Sequence, residues 1–167
     1  MILKSIHLVE DSLINTFSCG NKDLDKFFKK YAKDNDTAGY GKTFVLFDEE
    51  KLVGFFTLCS AQIRFDSFPY SFEENLPKYP IPAIRIARLA VDAKMQKKGY
   101  GKELLKEAFC KIVNASQTIG IKIVVVDAKE SSKSFYEKYG FIKLVDDKLT
   151  YCIHIQTIID ATNANKK

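Results

Sequence analysis

Arg88-Leu89-Ala90-Val91-Asp92-Ala93-Lys94-Met95-Gln96-Lys97-Lys98-Gly99-Tyr100-Gly101-Lys102-Glu103-Leu104-Leu105 is the stretch on which the reading of this chain turns. The apolar, β-branched run of residues 84–91 ends at Asp92 and has the length of a buried strand. Beyond the glycines, Leu104, Leu105, Ala108, Phe109, Ile112 and Val113 recur at helical spacing and form one wide apolar face. Gly99, Gly101, Lys97, Lys98 and Lys102 lie at the junction of strand and helix. A helix N-terminus carries unpaired N–H groups and the positive end of the macrodipole. Glycines let the backbone bend tightly and let an anion come close. The junction is therefore a candidate anion site made mainly of backbone amides, suited to a phosphate or pyrophosphate.

The spacing does not fit the common nucleotide loops. A Walker loop has four residues between its glycines and a Gly-Lys-Ser/Thr ending, and a dinucleotide loop has a third glycine where this chain has Leu104. What remains is Gln96-x-x-Gly99-x-Gly101 opening a helix after a Leu-Ala-Val strand. On its own, an ordinary strand–turn–helix with a glycine-rich turn would leave the same pattern.

At 167 residues the chain has the length of one domain and can bury a sizeable core. Its 46% hydrophobic and 28% charged residues suit a soluble globular protein. No apolar run approaches the length of a transmembrane helix, and residues 1–7 lack a signal-peptide pattern, so a cytoplasmic, membrane-free protein is expected. Four well-separated cysteines, no Cys-x-x-Cys and only His7 and His154 argue against a metal site and for buried, reduced thiols. A net charge of +5 favours anionic partners without separating a phosphorylated small molecule from RNA.

From the N-terminus, residues 2–9 read as a strand and residues 17–21 as a turn with Asn21 as N-cap. Leu24, Phe27, Phe28 and Tyr31 then give a helical stripe, with Lys26, Lys29, Lys30 and Lys33 on the other side. Those lysines fit either a solvated face or a phosphate-contacting ridge. Residues 34–41 read as loop, and 43–48 with 51–60 as a hairpin in which Gly54 marks a bulge. Residues 65–82 hold all four prolines and Phe68, Tyr70, Phe72 and Tyr79, so they read as a long loop. Its aromatics would line a cleft, make a homodimer contact or pin the loop itself. Residues 121–128 are a strand parallel to 84–91, because a helix connects the two. A helix over 131–139 follows, capped by Ser131 and stopped by Gly140, and then strands 141–145 and 150–155 around Asp146-Asp147-Lys148. The organisation is one domain over 1–160 and a polar, frayed tail over 161–167, in a mixed α/β class.

A second motif gives the first its meaning. Tyr136-Glu137-x-x-Gly140-Phe141 ends the helix after the fifth strand. Both motifs, in this order, resemble the GNAT superfamily of N-acetyltransferases. The resemblance implies the GNAT acyl-CoA N-acyltransferase fold, a central mixed six- to seven-stranded sheet flanked by helices, and acetyl-CoA as cofactor. It places Gln96, Lys97, Lys98, Gly99, Tyr100, Gly101 and Lys102 on the pyrophosphate, and Leu89, Ala90 and Val91 along the pantetheine arm with a backbone N–H for the carbonyl oxygen. Tyr136 matches the general acid that protonates the leaving thiolate. A phenol, with a pKa of ~10, keeps that proton at neutral pH. The chain departs from the pattern at Lys129, where many members carry a cofactor-contacting asparagine. No carboxylate stands out as general base.

A closer likeness covers most of the chain. Phe17-x-Cys19-Gly20 before Leu24-x-x-Phe27-Phe28, then Thr43-Phe44-Val45, Val53-Gly54-Phe55-Phe56-Thr57-Leu58, Ile81-Pro82 and Ala87-Arg88-Leu89-Ala90-Val91-Asp92 resemble the GNAT toxins of toxin–antitoxin pairs. That branch acetylates the α-amine of aminoacyl-tRNA. The resemblance implies tRNA as substrate, with Lys29, Lys30, Lys33 and Arg88 as candidate contacts, and a ribbon-helix-helix antitoxin as partner. The alternatives are a GNAT enzyme acting on a small-molecule or protein amine, and a CoA-binding or antitoxin-binding module without activity.

Overall fold

The computed structural model describes residues 1–72, 75–145 and 149–164. The chain forms two compact units, Met1–Cys59 with Ala87–Cys110, and Ser60–Ile86 with Lys111–Lys167. Its strands make one seven-stranded sheet in the order β1-β2-β3-β4-β5-β7-β6. This is the mixed α/β class the sequence implies.

In the first unit, β1 (Ile2–Ser5) pairs antiparallel with β2 (Lys42–Asp48), and β2 pairs with β3 (Lys51–Ile63), whose last four residues belong to the second unit. Glu49, at φ 53°, makes the turn between β2 and β3. The register passes from Leu46↔Gly54 to Phe47↔Leu52, so Val53 is the extra residue of a bulge beside Gly54. A Cβ on Gly54 would lie 2.4 Å from the Ala90 carbonyl oxygen and 2.7 Å from Leu104 Cδ1. Glycine there lets the backbone and the following helix approach β3.

Helices α1 (Asp11–Thr16), α2 (Lys22–Lys30) and α3 (Ala32–Thr37) precede β2. The Asn21 side chain caps α2, accepting from the Asp23 and Leu24 amides. Phe27 and Phe28 turn inward and join Phe17 and Phe55, with Phe28 stacked on Phe55 at 4.2 Å between centroids. Each such ring stabilises the core by ~1.5–3 kcal/mol through burial alone.

Two expectations change here, and one element is added. The strand over 2–9 stops at Ser5, and Ile6–Leu8 form a 3-10 turn. Ile6 and Val9 are both buried while Leu8 is 73% exposed, a helical spacing that an extended strand could not give. Helix α1 was not expected. The loop over 34–41 is helical as far as Thr37, although Asp34, Asn35 and Asp36 are poor helix formers. Tertiary bonds decide it. The buried Asp36 carboxylate accepts from the Thr43 amide at 2.8 Å, Lys42 Nζ at 2.8 Å and His7 Nε2 at 3.2 Å.

β4 (Ile81–Val91) starts in the second unit and ends in the first, and α4 (Tyr100–Ser116) leads from it towards β5 (Ile123–Asp127). β5 is parallel to β4 over Ala83↔Ile123 to Ile86↔Val126. β7 (Thr150–His154) pairs antiparallel with β5, and the two-residue β6 (Ile142–Lys143) pairs with β7. Pro82 lies inside β4, not in the loop. It lies just before the β4–β5 pairs, which begin at Ala83, and its carbonyl accepts from the Lys122 amide. The loop aromatics pin the segment: Phe68 stacks on Phe72, and Phe72 on His154. Tyr70 and Tyr79 stay exposed.

Helix α5 (Lys133–Lys138) is capped at Ser132, not Ser131, and Gly140 at φ 87° ends it. The Ser132 hydroxyl accepts from the Lys129 amide, which fixes the preceding turn. A helix α6 (Ile155–Ala164) occupies the end of the expected last strand and most of the expected tail. Its Ile155 and Ile158 are buried, which anchors it. The turn expected over 146–148 lies outside the described residues. The thiols also differ from expectation. Cys152 is buried, Cys19 and Cys59 are partly so, and Cys110 is exposed. Among the described residues no helix is long and apolar enough to cross a membrane.

Candidate active site

The first unit holds the glycine-rich junction. Asp92 closes β4: its amide donates to the Val53 carbonyl and its side chain accepts from the Lys94 amide. Lys97 and Gly99 then adopt left-handed backbone, at φ 61° and 88°. The conformation at Lys97 costs roughly 1 kcal/mol or more for a residue with a side chain. Such turns aim successive amides into one concavity that suits an anion. Among the described residues the amides of Lys97, Lys98, Gly99, Tyr100 and Gly101 donate to no protein acceptor. Five donors at the start of a 17-residue helix fit a pyrophosphate. A Cβ on Gly99 would meet nothing within 4 Å, so it is the backbone angle that requires glycine there.

The expected contact residues divide by what their side chains do. Gln96 Nε2 donates to the Cys19 and Val91 carbonyls, at 2.9 and 3.0 Å, so the side chain holds the loop. Tyr100 donates its hydroxyl to Asp48 Oδ2, and that carboxylate raises the phenol above its ordinary pKa. Lys98 Nζ donates to the Lys94 carbonyl. Lys97 and Lys102 are exposed. Ala90 is buried in the same core as Phe17, Phe27, Phe28 and Phe55, with Leu89 and Val91 half-buried on either side. The β4–β5 pairs end at Ile86↔Val126, and residues 87–91 run on past that ladder.

The candidate substrate cations also separate. Lys29 and Lys30 are exposed on α2. Lys33 is not an open cation. Its Nζ donates to the Val9 carbonyl at 2.9 Å and to Asp11 at 2.7 Å. Arg88 lies half-buried over the Phe27 ring, 3.7 Å from its centroid, and burial lowers its pKa. Reading the sequence left Ser18, Asp25, Asp48 and Asp92 without roles. The Ser18–Asp92 bond spans 74 residues and the Tyr100–Asp48 bond 52, so no local pattern signals them, and Asp25 reaches the loop only through Ser18 and Cys19.

The second unit holds Tyr136, on α5. Its ring packs edge-on against Phe135 and Phe141 and only 8% of the residue is exposed. Among the described residues the hydroxyl has no partner, and no fully buried side-chain oxygen lacks one, so the hydroxyl reaches the surface. Burial pushes its pKa up to about 12. The group is a protonated donor with its proton unengaged. Tyr151, by contrast, donates to Glu137 at 2.9 Å.

A family profile described as acetyltransferase (GNAT) domain matches residues 39–143. The chain is similar to a tRNA-acetylating toxin of Mycobacterium tuberculosis, 33% identical over 129 residues and 77% of each chain. It is also similar to a probable toxin TacT of Sinorhizobium fredii, 29% identical over 153 residues, 85% of this chain and 84% of that one. Among solved structures, a tyrosine-to-phenylalanine mutant of KacT matches with TM-score 0.84 and 25% identity, over 96% of this chain and 98% of that one. AtaT complexed with acetyl-methionyl-tRNAfMet shares the fold, with TM-score 0.85 and 24% identity over 96% and 98% of the two chains. The matched residues 39–143 contain the β4 strand, the left-handed turn, the α4 N-terminus and Tyr136, and the chain belongs to the GNAT family of acetyl-CoA-dependent acetyltransferases.

Proposed function

We propose that this enzyme moves the acetyl group of acetyl-CoA to the α-amine of aminoacyl-tRNA in the cytoplasm, and so acts as a translation-blocking toxin held in check by a ribbon-helix-helix antitoxin. The observation that carries the acceptor is the kinship with the mycobacterial tRNA-acetylating toxin. The reaction forms an N–C bond at the thioester carbonyl and breaks the C–S bond. The amides of residues 97–101 hold the pyrophosphate, and the Ala90–Val91 backbone lies along the pantetheine and donates to the carbonyl oxygen as charge develops there. Tyr136 gives its proton to the departing thiolate and regains one from solvent, and the attacking amine loses its proton to solvent. The aminoacyl ester lowers the amine pKa, so a strong protein base is not needed. Exposed Lys29 and Lys30, with Lys26, Lys94 and Lys97, supply phosphate contacts that give affinity without sequence readout.

The test is mass spectrometry of charged tRNA after incubation with enzyme and acetyl-CoA. An N-acetylated aminoacyl adduct is expected. No adduct from any total-tRNA pool, together with brisk turnover of a polyamine or peptide amine, would replace this acceptor with a small or protein amine. The acetyltransferase assignment would stand.

A further inference from the structure

The segment from Asp92 to Gln96 leads into the left-handed turn, yet it has little apolar packing of its own. Ala93, Lys94 and Gln96 are exposed, as are Lys97, Lys98 and Gly99. Hydrogen bonds must therefore set its conformation. Three of them come from Ser18 and Cys19. The Ala93 amide donates to the Ser18 carbonyl at 2.8 Å. The Ser18 amide donates to Asp92 Oδ2 at 3.1 Å, and Gln96 Nε2 donates to the Cys19 carbonyl at 2.9 Å.

Ser18 and Cys19 are in turn held by one carboxylate in the first turn of α2. Asp25 Oδ1 accepts from the Cys19 amide at 2.8 Å, and Oδ2 accepts from the Ser18 hydroxyl at 2.9 Å. Gly20, at φ 84°, lets the chain double back between these bonds and the Asn21 cap. We propose that Asp25 is a positioning residue for the acetyl-CoA phosphate loop, acting through Ser18 and Cys19 on Asp92, Ala93 and Gln96. The inference rests on the reading of residues 96–102 as that loop. It gives the Phe17-x-Cys19-Gly20 motif a role: the loop is touched by backbone atoms of Ser18 and Cys19, and the Asp25 side chain fixes where those atoms are. Burial, followed by the bond to Asp25, pushes the Cys19 thiol up to about 11, so it stays neutral beside the carboxylate.

Without the brace the loop populates other conformations, and apparent affinity falls with the binding-competent fraction. Calorimetry on the full chain should show Asp25→Ala weakening acetyl-CoA binding by ~10-fold, while kcat at saturating acetyl-CoA changes by less than ~3-fold. Asp25→Asn keeps the shape and one acceptor oxygen, and should recover most of that loss. Gln96→Ala cuts the far end of the same chain of bonds. Its loss should combine with that of Asp25→Ala to much less than the product of the two. Asp25→Ala with lowered melting temperature but acetyl-CoA affinity within ~2-fold of wild type would overturn the proposal, and so would losses that multiply fully. Gly101→Val separates the two levels. If Gly101→Val is impaired and Asp25→Ala is not, the brace alone is wrong. If Gly101→Val binds acetyl-CoA normally, the loop reading falls and the brace with it.

Discussion

Gly54→Ala adds one methyl on β3 where it faces β4 and α4. The new Cβ would stand 2.4 Å from the Ala90 carbonyl oxygen, 2.7 Å from Leu104 Cδ1 and 3.2 Å from Val91 Cα. The Leu104 tip can rotate aside. The Ala90 oxygen belongs to the backbone of a buried strand, and reaching ordinary contact needs a shift approaching ~1 Å, which interiors this dense resist. Overpacking costs ~1–3 kcal/mol, and a backbone obstacle puts this site near the upper end. For a chain of this length ~3 kcal/mol corresponds to a melting temperature lower by ~6–12 °C. The shift falls on Ala90 and Val91, the proposed pantetheine strand, so acetyl-CoA affinity should fall as well. Thermal melts followed by circular dichroism read the first effect and calorimetry the second. Gly120→Ala is the control, because a Cβ there meets nothing within 4 Å. A Gly54→Ala protein that melts within ~2 °C of wild type would refute the close approach of β3 and β4.

Tyr136→Phe removes an unpartnered hydroxyl, so kcat should fall ~10²-fold or more with the melting temperature nearly unchanged; near-normal turnover would make Tyr139 the next residue to test. Because burial pushes the Tyr136 phenol up to about 12, the rate should show no alkaline decline as pH passes through ~10, the value for a free tyrosine. Charge reversal of Lys29 and Lys30 should weaken use of charged tRNA, and activity should fall steeply with salt, while acetyl-CoA binding holds; the tRNA Michaelis constant against ionic strength measures it. At Asp36, burial pushes the carboxyl up, but Lys42, the Thr43 amide and His7 outweigh it and hold the pKa below its ordinary value. Its stabilisation is therefore present above the unfolded value of ~3.9 and lost as pH falls through the folded one, so melts of Asp36→Asn should be lower at neutral pH and flatter with acid.

What could be read in the sequence is what periodicity and local backbone chemistry encode. The strand over residues 84–91, the helix after the glycines, the parallel crossover, the Asn21 cap and the Gly140 stop are all announced by patterns of neighbouring residues, although the crossover itself pairs residues 40 apart. Helix α3 was hidden because its stability comes from Asp36 bonding to Lys42, Thr43 and His7, and propensity alone argues for a loop. The same limit applies to the site. Gly99 is legible, since a left-handed turn needs glycine, whereas the proposed role of Tyr136 rests on the resemblance to the GNAT enzymes and not on any local pattern. Gln96 and Tyr100 sit in the expected motif, and their polar ends bind Cys19, Val91 and Asp48. A motif records which residues a loop needs without separating those that touch the ligand from those that shape the loop. Only the partners of each polar atom make that division, and here they place much of the motif on the side of shape.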